Sequence, residues 1–174
     1  MAWEISAEEL LQRYADGERD FRGIELIQSQ GVPSDSSINL EGAILRDINL
    51  RKAYFRQADL TGADLTGADL FGVSLESAWL KRAIVRDANL HSANLSWCDL
   101  TEADLKGTDL NHINASRASF CGANIGGFSY AILAHANFRS ADVSKTNICR
   151  FGNLIWETIM PNGSVERGPY WKWK

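Results

Sequence analysis

The chain has 174 residues, 45% of them hydrophobic and 23% charged, with a formal net charge of -4 from 18 basic and 22 acidic side chains. That length suits one domain whose core needs no disulfide or metal. The composition excludes a disordered chain, no apolar run approaches a bilayer span, and the mild acidic excess argues against a general nucleic-acid binder.

The first segment, residues 1–20, reads as a helix that caps the rest of the chain. Ser6 with Glu9 three positions on forms a capping box, and Ile5 can staple onto Leu10. Leu10, Leu11 and Tyr14 give an apolar stripe, and Gly17 is placed to end the helix. The segment carries several acids and no apolar signal region, so a cytoplasmic location with reduced thiols is expected.

Phe21 and Leu26 then open a pattern that residues 28–37 interrupt. That stretch, with Gly31, Pro33 and four serines, reads as an inserted surface loop. From Leu40 to Ile125 the chain repeats every five residues. Eighteen positions spaced by five, hereafter i, are large and apolar in all but one case, Ala115. Position i−2 is Ala in 12 of the 18, and i−1 is Asp or Asn in 12, so the unit is A-(D/N)-L-x-x.

A five-residue period fits neither a helix nor a long strand; it fits a short strand and a corner. Extended backbone turns i−2 and i inward together and i−1 outward. Glycine at i+2, as at Gly62 and Gly67, suits a corner with positive φ. No pentad buries its own Leu, so successive coils must stack. The A-(D/N)-L-x-x run resembles the pentapeptide repeat family. The resemblance implies an all-β fold, a right-handed quadrilateral parallel β-helix with four pentads per coil, here with a short N-terminal capping α-helix. The segment from Leu10 to Phe21 is similar to the cap of family members from photosynthetic prokaryotes.

The expected organisation is a capping helix over 1–20, the β-helix over 21–154 and a C-terminal cap over 155–174. A frame slip falls at about 126–132, where eight residues from Ile125 to Leu133 are counted as one enlarged pentad. The last pentads centre on Leu154 and Ile159, and Pro161-Asn162-Gly163 makes a turn. The aromatic residues of 170–174 either lie over the last coil or form a self-association patch.

Residues twenty apart share a face on successive coils. Arg46, Arg86 and Lys106 then form a broken basic stripe beside Asp64 and Asp104, and Arg46, Arg51, Lys52 and Arg56 crowd one coil. The readings are an anion patch or an ordinary solvated face, the second being preferred. His91 and His112 fall on one face, and the slip as counted stacks His135 on them; three imidazoles could bind a transition metal, but no spacing motif supports a site. Cys98 is expected buried at i−2. Cys121 and Cys149, at i+1, are expected exposed on neighbouring faces, too far apart for an unstrained bridge.

No nucleophile–base pair or phosphate loop occurs, and an interior of Leu and Ala leaves no room for a substrate. The reading is therefore not an enzyme and without a cofactor. It is a structural or protein-interaction module whose partner is a protein rather than a membrane, nucleic acid or small molecule. Outward Tyr54, Phe71, Trp79 and Trp97 are candidate contacts. Two alternatives stand beside it. One is a metal- or anion-binding scaffold. The other follows from the resemblance: some family members mimic DNA, bind DNA gyrase and confer quinolone resistance. Such members carry strongly acidic faces, whereas residues 38–127 here hold 11 acidic and 9 basic side chains.

Overall fold

The computed structural model describes residues 3–28, 37–149 and 152–168. Most of the loop expected over 28–37, and the aromatic residues 170–174, lie outside the described residues. The described chain winds into a right-handed quadrilateral β-helix, each pentad supplying one side.

The i−1 residues pair in parallel across successive coils and define four ladders. The first side runs from Asn39 to Ile159, the second from Ile44 to Asp142, and the third from Asp20 to Asp109. The fourth runs from Glu4 through Glu25 and Tyr54 to Leu154. Most rungs are single bridges; longer pairings are β3 (Asp104–Leu105) with β4 (Asn124–Ile125). A regular rung joins residues four pentads apart, as Asn39 with Asp59, whereas Asp20 pairs with Asn49 across a longer stretch of chain.

The backbone bonds repeat with the pentad. Asp64 N–H donates to the Ala43 carbonyl at 2.9 Å and Leu65 N–H to the Ile84 carbonyl at 2.7 Å. At the corner, Gly67 N–H reaches the Arg86 carbonyl at 2.9 Å, and Ala68 N–H closes the turn onto the Leu65 carbonyl at 3.0 Å. Left-handed backbone stands at i+2 whether or not glycine does: Lys52 has φ 57° and Trp97 φ 64°. The stacked corners thus hold a conformation costing an L-residue about 1–2 kcal/mol alone.

Inside, the i and i−2 residues stack in layers, Leu45, Leu65 and Val85 each at most 1% exposed. Among the larger side chains Phe120 and Phe138 stack with centroids 4.9 Å apart, and Phe128 packs edge-on to both.

Three expectations are corrected. The eight residues from Ile125 to Leu133 form two sides, not one enlarged pentad. Phe128 is buried as a further inward residue, and Asn114 pairs with Ile132, where a regular coil would bring position 134 beside it. A phenylalanine ring fills a side whose backbone is shorter than a pentad. In the last coil the inward residues are Ile155 and Met160, each 1% exposed, while Leu154 and Ile159 sit on the outward ladders. The step from Ile148 to Ile155 is longer than a pentad, which shifts the frame a second time.

The third correction is at the N-terminus, where a strand precedes the helix. β1 (Trp3–Ser6) pairs in parallel with β2 (Ile24–Ile27) and extends the fourth side. Helix α1 (Ala7–Ala15) follows, with the Ser6 hydroxyl accepting from Glu9 N–H at 3.1 Å and Gly17 at φ 100° past its end. The strand satisfies backbone groups that a helix alone would leave open at the first coil. At the other end, the short α2 (Lys145–Ile148) enters the last coil, and β5 (Thr158–Ile159) folds antiparallel onto β6 (Val165–Glu166). The turn between them contains Pro161, Asn162 and Gly163. No helix among the described residues is long and apolar enough to cross a membrane.

Candidate interaction surface

The Asp and Asn residues at i−1 have a backbone task. The ladder leaves the N–H of i+1 without a carbonyl, and the side chain two residues earlier accepts it. Asp59 takes Thr61 N–H at 2.9 Å, Asp99 takes Thr101 at 3.0 Å and Asn114 takes Ser116 at 3.1 Å. This is an Asx turn repeated up the rod, so the regular carboxylates serve structure.

Their second oxygens meet cations on the corners of the preceding coil. Arg46 binds Asp64 at 2.6 Å, Arg51 binds Asp69 at 3.1 Å, Lys81 binds Asp99 at 3.3 Å and Arg86 binds Asp104 at 2.5 Å. Arg56 and Arg82 pair straight up the corner with Glu76 and Glu102. The crowded cations of one coil, Arg46, Arg51 and Arg56, are therefore each engaged. The stripe of Arg46, Arg86 and Lys106 lies on the corner after the second side, with its two arginines held by carboxylates. Asp64, Asp69, Asp99 and Asp104 are neutralised in turn, which weighs against presentation of a bare anionic face.

Burial alone would raise Asp64, Asp99 and Asp104. Hydrogen bonds from Arg46 and Thr66, from Thr101 and Lys81, and from Arg86 and Lys106 N–H outweigh it and hold each below the ordinary carboxylate value. A folded value below the unfolded one contributes stability that is complete above the unfolded pKa, near 3.9. That contribution is lost as pH falls through the lower folded values. Scanning calorimetry should show a melting temperature nearly flat from neutrality to about pH 5 and falling below about pH 4. A melting temperature that rises on acidification contradicts this account.

The corner after the third side carries a continuous stack. The Arg51 guanidinium lies 4.4 Å from the Phe71 ring, Phe71 stacks on His91 at 5.6 Å, His91 meets His112 at 5.0 Å, and His112 stacks on Tyr130 at 5.1 Å. Above Tyr130 lies Gly152, where a Cβ would fall 2.5 Å from a ring carbon. Two of the three histidines are thus brought together. His135 is not: the short coil puts Tyr130 over His112, and His135 stands on the corner after the fourth side, 3.3 Å from Glu157. The three-histidine stack is corrected accordingly, and no group of three metal-ligating side chains forms among the described residues.

The same register separates the outer cysteines. Cys121 follows the first side and Cys149 the third, so they occupy opposite rather than neighbouring corners, and both are partly buried, not exposed. Burial pushes the Cys98 thiol up to about 12, and that of Cys149 upward as well.

Tyr54, Trp79 and Trp97 are 48, 49 and 56% exposed, while Phe71 is half-buried between Arg51 and His91. They lie apart: Trp79 on the first side, Tyr54 on the fourth, Trp97 and Phe71 on the two corners that bound the fourth. Sequence reasoning missed the fourth side itself. From Tyr54 to Leu154 its outward residues are Tyr54, Ser74, Asn94, Asn114, Ile132 and Leu154, without a charge. The other three sides carry aspartates at intervals. Writing the sequence in rows of twenty reveals the uncharged column as far as Asn114, and the short coil hides the rest. A shallow groove lined by Lys81, Arg82 and Glu102 lies elsewhere, on the corner after the first side.

The family of pentapeptide repeats matches the chain in eight copies, over residues 36–71, 68–107 and 98–127. No curated protein sequence matches it. Among solved structures, QnrB1, a plasmid-mediated fluoroquinolone resistance protein, superposes with a TM-score of 0.56 at 16% identity. That match covers 82% of this chain but 66% of QnrB1, just under two thirds, and shows the fold alone. Two proteins of Nostoc PCC 7120 also match. The pentapeptide repeat protein alr5209 is 30% identical over 63% of this chain and 84% of its own, with a TM-score of 0.34. HetL, involved in heterocyst differentiation regulation, is 24% identical over 93% and 100%, with a TM-score of 0.27.

Proposed function

The chain belongs to the pentapeptide repeat family, and from that premise we propose that it is a non-enzymatic, cytoplasmic protein-interaction module whose contact surface is the fourth side with its two corners. The observation that carries this reading is the uneven distribution of charge. The other three sides hold aspartates, most of them tied to cations, a well-hydrated arrangement. From Tyr54 to Leu154, above the exposed Glu4 and Glu25, the fourth holds hydroxyl, amide and apolar groups between Phe71 and Tyr130 on one corner and Trp97 and Trp156 on the other. Protein interfaces are depleted of charge at their centre and enriched in aromatic residues. The rod needs no reordering on binding, since every outward residue is already fixed by its ladder. The packed Leu and Ala interior supports a role for the outside of the rod rather than for a cavity.

The test is photo-crosslinking in the native cell, with a benzophenone amino acid in place of Asn114 on the fourth side or Ser119 on the first. Discrete protein adducts from position 114, and few from 119, are expected. Equal labelling from both positions would remove the fourth side as the contact surface.

A further inference from the structure

We propose that the occupant of the fourth side is a second copy of this chain, packed antiparallel about a two-fold axis. The proposal rests on the interaction-module reading and adds the partner. A two-fold axis normal to the side would not bring two copies face to face; one lying in the plane of the side, across the rod, does, and it reverses the order of the coils. It keeps each corner column beside its own copy. In full overlap the outward row then meets itself reversed: Tyr54 faces Leu154, Ser74 faces Ile132 and Asn94 faces Asn114. No charge is desolvated from Tyr54 to Leu154, and Glu25 and Glu4, the next residues of this side, lie beyond the six-rung overlap. Asn94 and Asn114 each accept from the backbone at i+1, at 3.1 Å, and the amide NH2 of each has no partner among the described residues. Each amide oxygen also accepts the Ser96 or Ser116 hydroxyl, so both of its lone pairs are taken, and the two NH2 donors would share a bridging water across the axis.

The corner after the fourth side is self-complementary in the same reversal. After the fourth side, the reversed order sets Arg56 against Glu157, Glu76 against His135 and Trp97 against Arg117. Within one chain these groups already make the same kinds of pair. Arg56 binds Glu76, His135 meets Glu157, and the Arg117 guanidinium lies 4.6 Å from the Trp97 ring. On the corner before the fourth side, Phe71 comes opposite Tyr130 and His91 opposite His112. Parallel rods would instead set Arg51 and Lys52 against Arg56, a cluster of like charge. The third side reversed on itself would set Asp69 against Asp69 and Asp20 against Asp109. Six rungs at the β spacing of about 4.8 Å make a strip about 25–30 Å long. With both corners it would bury about 1,000 Å² in total, the lower edge for a specific interface. A dimer of micromolar strength follows.

Sedimentation equilibrium of the full chain tests this. At about 100 μM the mass should approach twice the 19.3 kDa of one chain. Ser74→Asp installs the repeat's own outward residue and should weaken pairing at least tenfold, by placing a carboxylate against Ile132. Ser119→Asp adds the same charge on the first side and should leave the mass unchanged. Mixing Ser74→Asp with Ile132→Lys should restore a heterodimer, because the two new charges meet only in the antiparallel arrangement. Far-ultraviolet dichroism of each variant verifies the fold. A wild-type chain that stays at 19.3 kDa, a dimer lost through Ser119→Asp instead, or a mixture that fails to pair overturns the proposal. A monomer that still crosslinks another protein through position 114 overturns self-pairing and leaves the interaction-module reading standing.

Discussion

Leu65→Asp should abolish the folded rod, with loss of the β signal in far-ultraviolet dichroism and of any cooperative melting transition. Leu65 is 1% exposed and lies between Leu45 and Val85 of the neighbouring coils, both fully buried. Its surroundings offer apolar side chains and backbone groups already engaged in the ladder. A carboxylate there must either stay charged without a partner or take up a proton; each costs several kcal/mol beyond the lost burial of Leu. That sum is comparable to the total stability of a domain, about 5–15 kcal/mol. The position aggravates it. In a stacked array each coil is stabilised by its two neighbours, so a defect in a central coil separates an N-terminal part from a C-terminal part, each with an uncapped end. The adjacent outward residue gives the contrast. Asp64→Asn retains the acceptor for Thr66 N–H and should keep the fold, losing mainly the ion pair to Arg46. A Leu65→Asp protein that melts cooperatively within a few degrees of wild type would mean that i is not a buried position.

That contrast marks how much the sequence discloses. Positions i, i−2 and i−1 have distinct physical tasks, namely filling the interior, making room for the filler and accepting a corner N–H. Each task selects a narrow residue type, so the period and the stacking of coils are legible, while the four sides are what the family resemblance implies. Legibility fails where one task is met in an unusual way. Phe128 follows Ile125 too closely for any five-residue pattern to propose it as an inward residue; only its burial and the Asn114–Ile132 rung do. Leu154 and Ile155 are adjacent and both apolar, so composition cannot choose between them. The ladder chooses Ile155. These two slips also misplaced His135 and the Cys121–Cys149 relation, because every neighbour beyond the slip inherits the error. The surface was legible by the same measure. Tyr54, Phe71, Trp79 and Trp97 stand out singly in the sequence. That three of them bound or lie on one side shows once the sequence is set in rows of twenty; its uncharged continuation through Ile132 and Leu154 needs the true register of the coils. β1 was hidden for another reason, since Trp3–Ser6 has no repeat unit and is a strand only because the first coil offers it an edge.

Asn153→Ala should destabilise the protein although it installs the repeat's own preferred residue. Asn153 occupies an i−2 position, where 12 of the 18 regular pentads have Ala, and it is 5% exposed. It sits where the frame has shifted and the ladder leaves groups unpaired. Its carbonyl oxygen accepts Ala131 N–H at 2.9 Å; its amide donates to the Ile148 carbonyl at 3.0 Å and lies 3.3 Å from those of Phe128 and Asn147. One side chain thus ties the short Phe128 coil to α2 and to the last coil. Alanine would leave a buried N–H and at least one buried carbonyl without a partner, at about 1–3 kcal/mol each. A net loss of about 2–4 kcal/mol is expected. Thr158, the next i−2 residue, donates its one hydroxyl proton mainly to the Leu133 carbonyl at 2.8 Å, with the Trp156 carbonyl at 3.4 Å, so Thr158→Val should cost about 1 kcal/mol. The loss should be local, because in a stacked array the coils open from the weakened end. Hydrogen exchange read by mass spectrometry should show protection falling across residues 128–168 in Asn153→Ala while the coils from Leu40 to Leu100 keep theirs. Unchanged protection in the last coils, or an equal fall along the whole rod, would show that the polar hub does not hold the frame break together.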